Sequence, residues 1–214
     1  MIDLTPQINL LAERVHALRG GPSRILVAIS GPPASGKTTL AEELARRLNA
    51  QKCETVVVPQ DGFHLDNQIL EARGDLIRKG APHTFDGAGF VHMVRRLKER
   101  SDVAVPIFDR TRDIAIAGAR IVPACAEVIV VEGNYLLFDD APWFNLAPLW
   151  TLSVRLDVPI EDLRARLIQR WLGHGLSQTA ATGRVTKNDL PNAQSVLDKA
   201  LPAMMTLTAD GKLA

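Results

Sequence analysis

Apolar and polar residues recur along this chain on two different periods, and the switches between them mark out the elements. Ile8, Leu11, Val15 and Leu18 return at helical spacing, and Gly20, Gly21 and Pro22 stop that helix. Ile25 to Ile29 is an unbroken apolar run, the signature of a strand buried on both faces in a parallel sheet. Leu40, Leu44 and Leu48 then stack on one helical face, while Glu42, Glu43, Arg46 and Arg47 stay in water. Val56-Val57-Val58 predicts a second strand ending at Pro59-Gln60-Asp61, and a helix is expected from about Ala88 to Arg100. Strand-like VAVPIF, an alternating IAIA stretch, VIVV before Glu132 and LSVRLDV follow. Ile160, Leu163, Leu167 and Trp171 mark a last amphipathic helix. Strands alternating with helices imply right-handed βαβ units and a mostly parallel sheet with helices on both faces, an α/β fold. Between Gly173 and Pro191 the chain is polar, glycine-containing and aperiodic. A stretch of that length in a compact domain is more often a functional lid than filler, so a lid is placed at roughly residues 173–190 of a single domain spanning 1–214.

Composition narrows the class. The 214 residues include 25 basic and 24 acidic side chains, a formal charge of +1, with 46% apolar residues. A near-neutral chain lacks the basic excess that coating nucleic acid or an anionic membrane demands. Cys53 and Cys125 stand in unrelated contexts without CxxC spacing, which excludes a disulfide scaffold and a cysteine zinc site and fits a reducing compartment. Asp3 and Glu13 argue against a secretory signal, and the apolar runs are too short to span a bilayer. The expectation is a soluble, cytoplasmic protein that acts on a small molecule, without nucleic-acid or membrane partners; a homodimer is left open.

Chemistry concentrates after the first strand. Gly31-Pro32-Pro33-Ala34-Ser35-Gly36-Lys37-Thr38 fits G-x-x-x-x-G-K-[ST] at every fixed position, with a buried strand leading in and an amphipathic helix leading out. Gly31 and Gly36 let the backbone bend so that successive N–H groups, including those of Ala34 and Ser35, point at phosphate oxygens. The following helix adds its free N–H groups and positive dipole end. Lys37 would span the β- and γ-phosphates, Thr38 would offer its hydroxyl to Mg²⁺, and Thr39 could reach the α-phosphate. Two strings resemble guanine-nucleotide motifs, Asp86-Gly87-Ala88-Gly89 and Thr186-Lys187-Asn188-Asp189, but neither follows an apolar strand, so both are set aside.

Phosphoryl transfer also needs a group to orient or deprotonate the acceptor and cations to absorb charge. In a doubly wound sheet these belong at the carboxyl ends of strands. Asp61 follows VVVP, although an Asp-Gly pair is also an ordinary turn. Glu132 directly follows VIVV, where it would hold Mg²⁺, directly or through water, or be a solvated strand-end carboxylate. Asp109 and Arg110 follow VAVPIF and either bind a polar substrate or form a surface ion pair. Arg166 and Arg170 are spaced i, i+4 on the flank of the last amphipathic helix, suited to a closing lid or simply to water. Arg184 is a further lid candidate. His64 and His83 lie in loops after the second strand, placed to touch substrate, and the histidines lack metal-ligand spacing.

GPPASGKTT, DGFHLDN, PHTFD, PIFDR and VIVVEGNYLL together resemble the small-molecule kinases related to uridine kinase, pantothenate kinase and phosphoribulokinase, over about Ile25 to Ala203. The look is most like a bacterial branch provisionally assigned to nucleosides or to fructose transport systems. The resemblance implies a three-layer P-loop nucleoside-triphosphate fold, ATP and Mg²⁺ as cofactors, and transfer of the γ-phosphate to a hydroxyl of a sugar, nucleoside or pantothenate-like metabolite. It implies Asp61 as general base, Arg166 and Arg170 as lid arginines, and the loops of His64, His83, Asp86, Asp109 and Arg110 as acceptor-binding segments. His64 stands where uridine kinases carry a tyrosine. The competing expectation is an ATP-binding accessory protein of a sugar transporter that does not turn over.

Overall fold

The computed structural model describes residues 4–21 and 23–208, so Asp3 and Pro22 lie outside the described residues. Helix α1 (Thr5–Ala17) leads into strand β1 (Ile25–Ser30), helix α2 (Lys37–Ala50) and strand β2 (Thr55–Pro59). Helices α3 (Asn67–Arg73) and α4 (Gly87–Leu97) precede strands β3 (Val103–Asp109) and β4 (Ile114–Val122). Strands β5 (Val128–Gly133) and β6 (Leu152–Asp157) are followed by helices α5 (Ile160–Gly173), α6 (Gln178–Arg184) and α7 (Leu190–Asp198), and by strand β7 (Met205–Thr208).

Five strands form one sheet in the order β2-β5-β1-β6-β7, and every pairing in it is parallel. β1 and β5, the unbroken apolar runs, are buried along their whole length, as strands covered on both faces must be. Their alternate residues feed two cores. Ile25, Val27 and Ile29 pack with Val128 and Val130 against Leu11, Val15, Leu40, Leu44 and Leu48 of α1 and α2. Leu26, Ala28, Ile129 and Val131 face the other way, toward Phe90 and Val94 of α4 and toward Tyr135 and Trp143. The result is three layers, helix–sheet–helix, with the carboxyl ends of β1, β2 and β5 side by side.

Three features depart from the pattern of the sequence. β3 and β4 do not join the parallel sheet; they form a separate antiparallel pair with a register shift between Val105 and Ile107, at Pro106. Proline cannot donate to a ladder, which suits it to this irregular position. Residues 178–189 are not a loop: α6 runs into a π-helical turn, Val185–Asp189, and then α7. The helices close because Ala181, Val185, Leu190 and Ala193 bury small apolar surfaces against Leu163 and Leu167 of α5. β7 is a short edge strand that the pattern did not mark.

Candidate active site

The loop after β1 builds the floor of the site. Gly31 comes so close to the loop's other arm that a Cβ there would meet Ser35 Oγ at 2.7 Å and Leu156 Cβ at 3.1 Å. Gly36 takes φ +96 at the start of α2, in open space, which leaves the helix's first N–H groups uncovered. Ala34 adopts φ 64, and Ser35 N donates to Pro32 O at 3.2 Å, so the loop curls back on itself. Ser35 Oγ is buried without a partner among the described residues, an uncompensated polar atom within a cradle of backbone donors. That geometry fits a polyphosphate.

Strand register brings the carboxylates to the same edge. Glu132 pairs with Ile29 of β1 on one side and Pro59 of β2 on the other, so Asp61, two residues past Pro59, comes up beside it. Asp61 rides on a 3₁₀ turn, Gln60–Phe63, pinned from below by Gln60, whose Oε1 accepts from Tyr135 N at 3.0 Å. Lys37, Thr38, Asp61 and Glu132 thus line one cleft of about 360 Å³. Burial lowers the pKa of Lys37, a cost that Glu132 and Asp61 offset only in part. Burial likewise raises the pKa of Glu132, against the opposing pull of Lys37 and a hydrogen bond from Thr38. A hard-oxygen pair of hydroxyl and desolvated carboxylate, next to the phosphate cradle, fits Mg²⁺.

The opposite wall comes from three other segments. His64 lies between two rings, with centroids 4.0 Å from Phe85 and 4.7 Å from Phe108, and its Nδ1 is 2.8 Å from Asp61 O. Burial depresses its pKa, with Asp61 pulling the other way. Arg110, from the β3–β4 turn, places a guanidinium nitrogen 3.3 Å from Asp61 Oδ2. Arg170 lines the third side with Arg184, which stacks on Trp171 at 4.1 Å from the ring centroid; Trp171 in turn donates to Asp189.

Of the residues singled out in the sequence, Ala34, Gly36, Lys37, Thr38, Thr39, Asp61, His64, Arg110, Glu132 and Arg170 line this cleft together. Gly31 and Ser35 shape the loop from behind. Four others are placed elsewhere. Arg166 is directed at the back of the loop, 3.4 Å from Ala34 O and 3.5 Å from Ser35 O, because it lies one helical turn before Arg170. His83 is exposed, 3.5 Å from Asp75. Asp86 caps α4 by accepting from Gly89 N at 2.8 Å, so its string is a helix start rather than a nucleotide motif. Asp109 is consumed by its own turn: hydrogen bonds from the backbone and side chain of Arg112 hold its carboxyl below the usual range. The sequence pattern does not single out Lys79, Asp113 or Asn134, which also line the cleft, as does Asn192. For Asn134 a signal existed, its place two residues after Glu132; for Lys79 and Asp113 there was none, since their meeting depends on the hairpin's docking.

The model of the phosphoribulokinase and uridine kinase family matches residues 26–174. A protein from Schizosaccharomyces pombe provisionally named a uridine kinase is 34% identical over 197 residues, 85% of this chain and 82% of its own length. The uridine kinase of Ureaplasma urealyticum is 31% identical over 149 residues, 69% of each chain. The crystal structure of a provisionally named fructose transport system kinase from Silicibacter sp. TM1040 superimposes with a TM-score of 0.89 at 51% identity, over 93% of this chain and 98% of its own. Among the described residues no helix is long and apolar enough to cross a membrane.

Proposed function

The chain belongs to the phosphoribulokinase and uridine kinase family of small-molecule kinases, and from that premise we propose that it moves the γ-phosphate of ATP onto a hydroxyl of a small metabolite. The observation that carries this reading is the convergence of the phosphate loop, Lys37, Glu132 and Asp61 on one cleft. The loop amides and Lys37 hold the triphosphate with its terminal group toward Asp61. Thr38 and Glu132 would hold Mg²⁺, which would supply charge neutralisation for the phosphates. Asp61 accepts the proton of the acceptor hydroxyl, and Arg110, 3.3 Å from its Oδ2, keeps that carboxylate aimed. Arg170 and Arg184 approach from the lid side and share the charge that spreads over the transferred group.

In this reading Arg166 is not one of the charge-sharing groups. By donating to Ala34 O and Ser35 O it braces the loop from behind, which keeps the amides pointing inward. A protein that bound ATP without turnover would need neither a carboxylate opposite the cradle nor two arginines over it. The acceptor meets the His64, Phe85 and Phe108 rings beside Asp61, so a sugar, nucleoside or vitamin precursor with one exposed hydroxyl fits the wall. The test is ADP release from MgATP against a panel of sugars, nucleosides and vitamin precursors. The expected result is stimulation by one class above the unstimulated rate; tight ATP binding with no stimulation by any acceptor would return the accessory-protein reading.

A further inference from the structure

Lys79 looks at first like one more cation for phosphate, since it is nine-tenths buried and lines the cleft. Its contacts say otherwise. An ammonium has three donors. Lys79 Nζ lies 2.7 Å from Asn67 Oδ1, 2.8 Å from Asp113 O and 2.9 Å from Asp113 Oδ2, and it stands over the Phe108 ring at 5.1 Å. All three donors are engaged with protein. Asp113, at φ 57, is the tip of the β3–β4 turn that also carries Arg110. The side chain of Lys79 therefore fastens the hairpin tip, and with it the guanidinium facing Asp61, onto the loop that precedes His83.

The backbone of the same residue is gripped from the other side. Asn188, buried in the π-helical turn, donates through Nδ2 to Lys79 O at 3.1 Å. The contact is reciprocated: Arg78 donates to Lys187 O and to Asn192 Oδ1, both at 3.1 Å. A π turn inside a helical run widens the backbone, and such turns cluster where function requires a particular side chain to be aimed. Here the turn lies one residue beyond Arg184 and contains Asp189, the partner of Trp171. The segment bearing the cleft arginine and the segment bearing the acceptor wall are thus joined by short, directed bonds.

We propose that Lys79, Asn188 and Arg78 are positioning residues that tie the lid to the acceptor wall, so that nucleotide held by Arg170 and Arg184 orders the acceptor loop and the hairpin tip before the acceptor arrives. This rests on the nucleotide reading of the cleft. Coupling between sites is reciprocal, so it can be read with nucleotide alone, whatever the acceptor proves to be.

The experiment is hydrogen–deuterium exchange of the full chain with and without magnesium AMP-PNP. In the wild type, exchange slows in the lid (residues 178–192), in the acceptor loop (74–81) and at the hairpin tip (109–114), the last two by about tenfold. Asn188→Ala keeps the lid response and loses the other two. Arg78→Ala, a change at a half-buried side chain that leaves the buried amide in place, weakens the same two responses and guards against misreading a poorly folded Asn188 variant. Lys79→Met keeps the acceptor-loop response and loses that of the hairpin tip, and Lys79→Arg restores it. A static structural role would change exchange equally with and without nucleotide and leave these differences intact. Protection confined to the lid in the wild type, or an unaltered acceptor-loop response in Asn188→Ala, overturns the coupling alone. No response anywhere in the wild type overturns the nucleotide reading and the coupling with it.

Discussion

Gly62→Ala perturbs the proposed base without touching the phosphate loop. A Cβ at residue 62 would lie 2.7 Å from Pro106 O and 2.9 Å from Pro106 C. Both are backbone atoms, so no flexible side chain can swing away. Ordinary van der Waals contact begins near 3.4 Å, so the 3₁₀ turn and strand β3 must separate by about 0.7 Å. Overpacking of this kind costs roughly 1–3 kcal/mol, which for a chain of this length lowers Tm by roughly 2–12 °C. The catalytic effect follows from where the shift occurs. Asp61 is the preceding residue on the same turn, and a displacement approaching 1 Å at a reacting group lowers turnover by about tenfold to a hundredfold. The loop of residues 31–38 is unaffected, so MgATP affinity stays at the wild-type value. The assay pairs differential scanning calorimetry with steady-state ADP release and calorimetric MgATP binding. A variant that loses thermal stability as expected but turns over at the wild-type rate would show that the position of Asp61 is irrelevant to the chemistry.

Asp61→Asn keeps the shape of the turn and removes the proton acceptor; kcat is expected to fall by about a hundredfold or more with MgATP affinity retained, and unchanged kcat in a steady-state assay would remove Asp61 from the mechanism. Lys37→Ala loses both nucleotide binding and turnover, and tight MgATP binding by that variant in calorimetry would contradict the cradle. Gly183→Ala is a control within α6, where a Cβ meets nothing within 4 Å; it raises stability by about 0.5–1 kcal/mol in denaturant titration, and a loss would mean that the lid is not helical there. His64 yields a pH prediction. Burial holds its folded pKa below 6.5, so as the pH drops below 6.5 the unfolded ring gains a proton that the folded ring refuses. Stability therefore falls with pH in that window until the folded ring titrates, and His64→Phe, which keeps the ring stack, flattens this part of the curve; an unaltered slope would refute the assignment.

Where the information was local, the sequence could be read directly. The cradle is eight consecutive residues between a strand and a helix whose periods are unmistakable, and Asp61 and Glu132 are legible because a strand end is also a local feature. The acceptor wall is a different matter. Lys79, Asn67 and Asp113 meet only because the β3–β4 pair leaves the main sheet and folds its tip over α3, and no period in VAVPIF or IAIA distinguishes a hairpin from a sheet strand. Asp109 and Asp86 show the converse: each has the spacing of a site residue, and each accepts hydrogen bonds in a turn or a helix cap two or three residues away. Residues 178–193 read as a loop because Ala181, Val185 and Ala193 are too small and too sparse to raise a helical signal until Leu163 and Leu167 are placed against them. Arg166 and Arg170 share a flank, as their spacing requires, yet a single turn of rise sends one behind the phosphate loop and the other into the cleft.

Transfer to a hydroxyl leaves a phosphorylated product that can be weighed. Incubation with MgATP and the acceptor that best stimulates ADP release, followed by mass spectrometry of the small molecules, should show that acceptor gaining one phosphoryl group in step with ADP. ADP accompanied by inorganic phosphate alone, with the acceptor unchanged, would contradict the account.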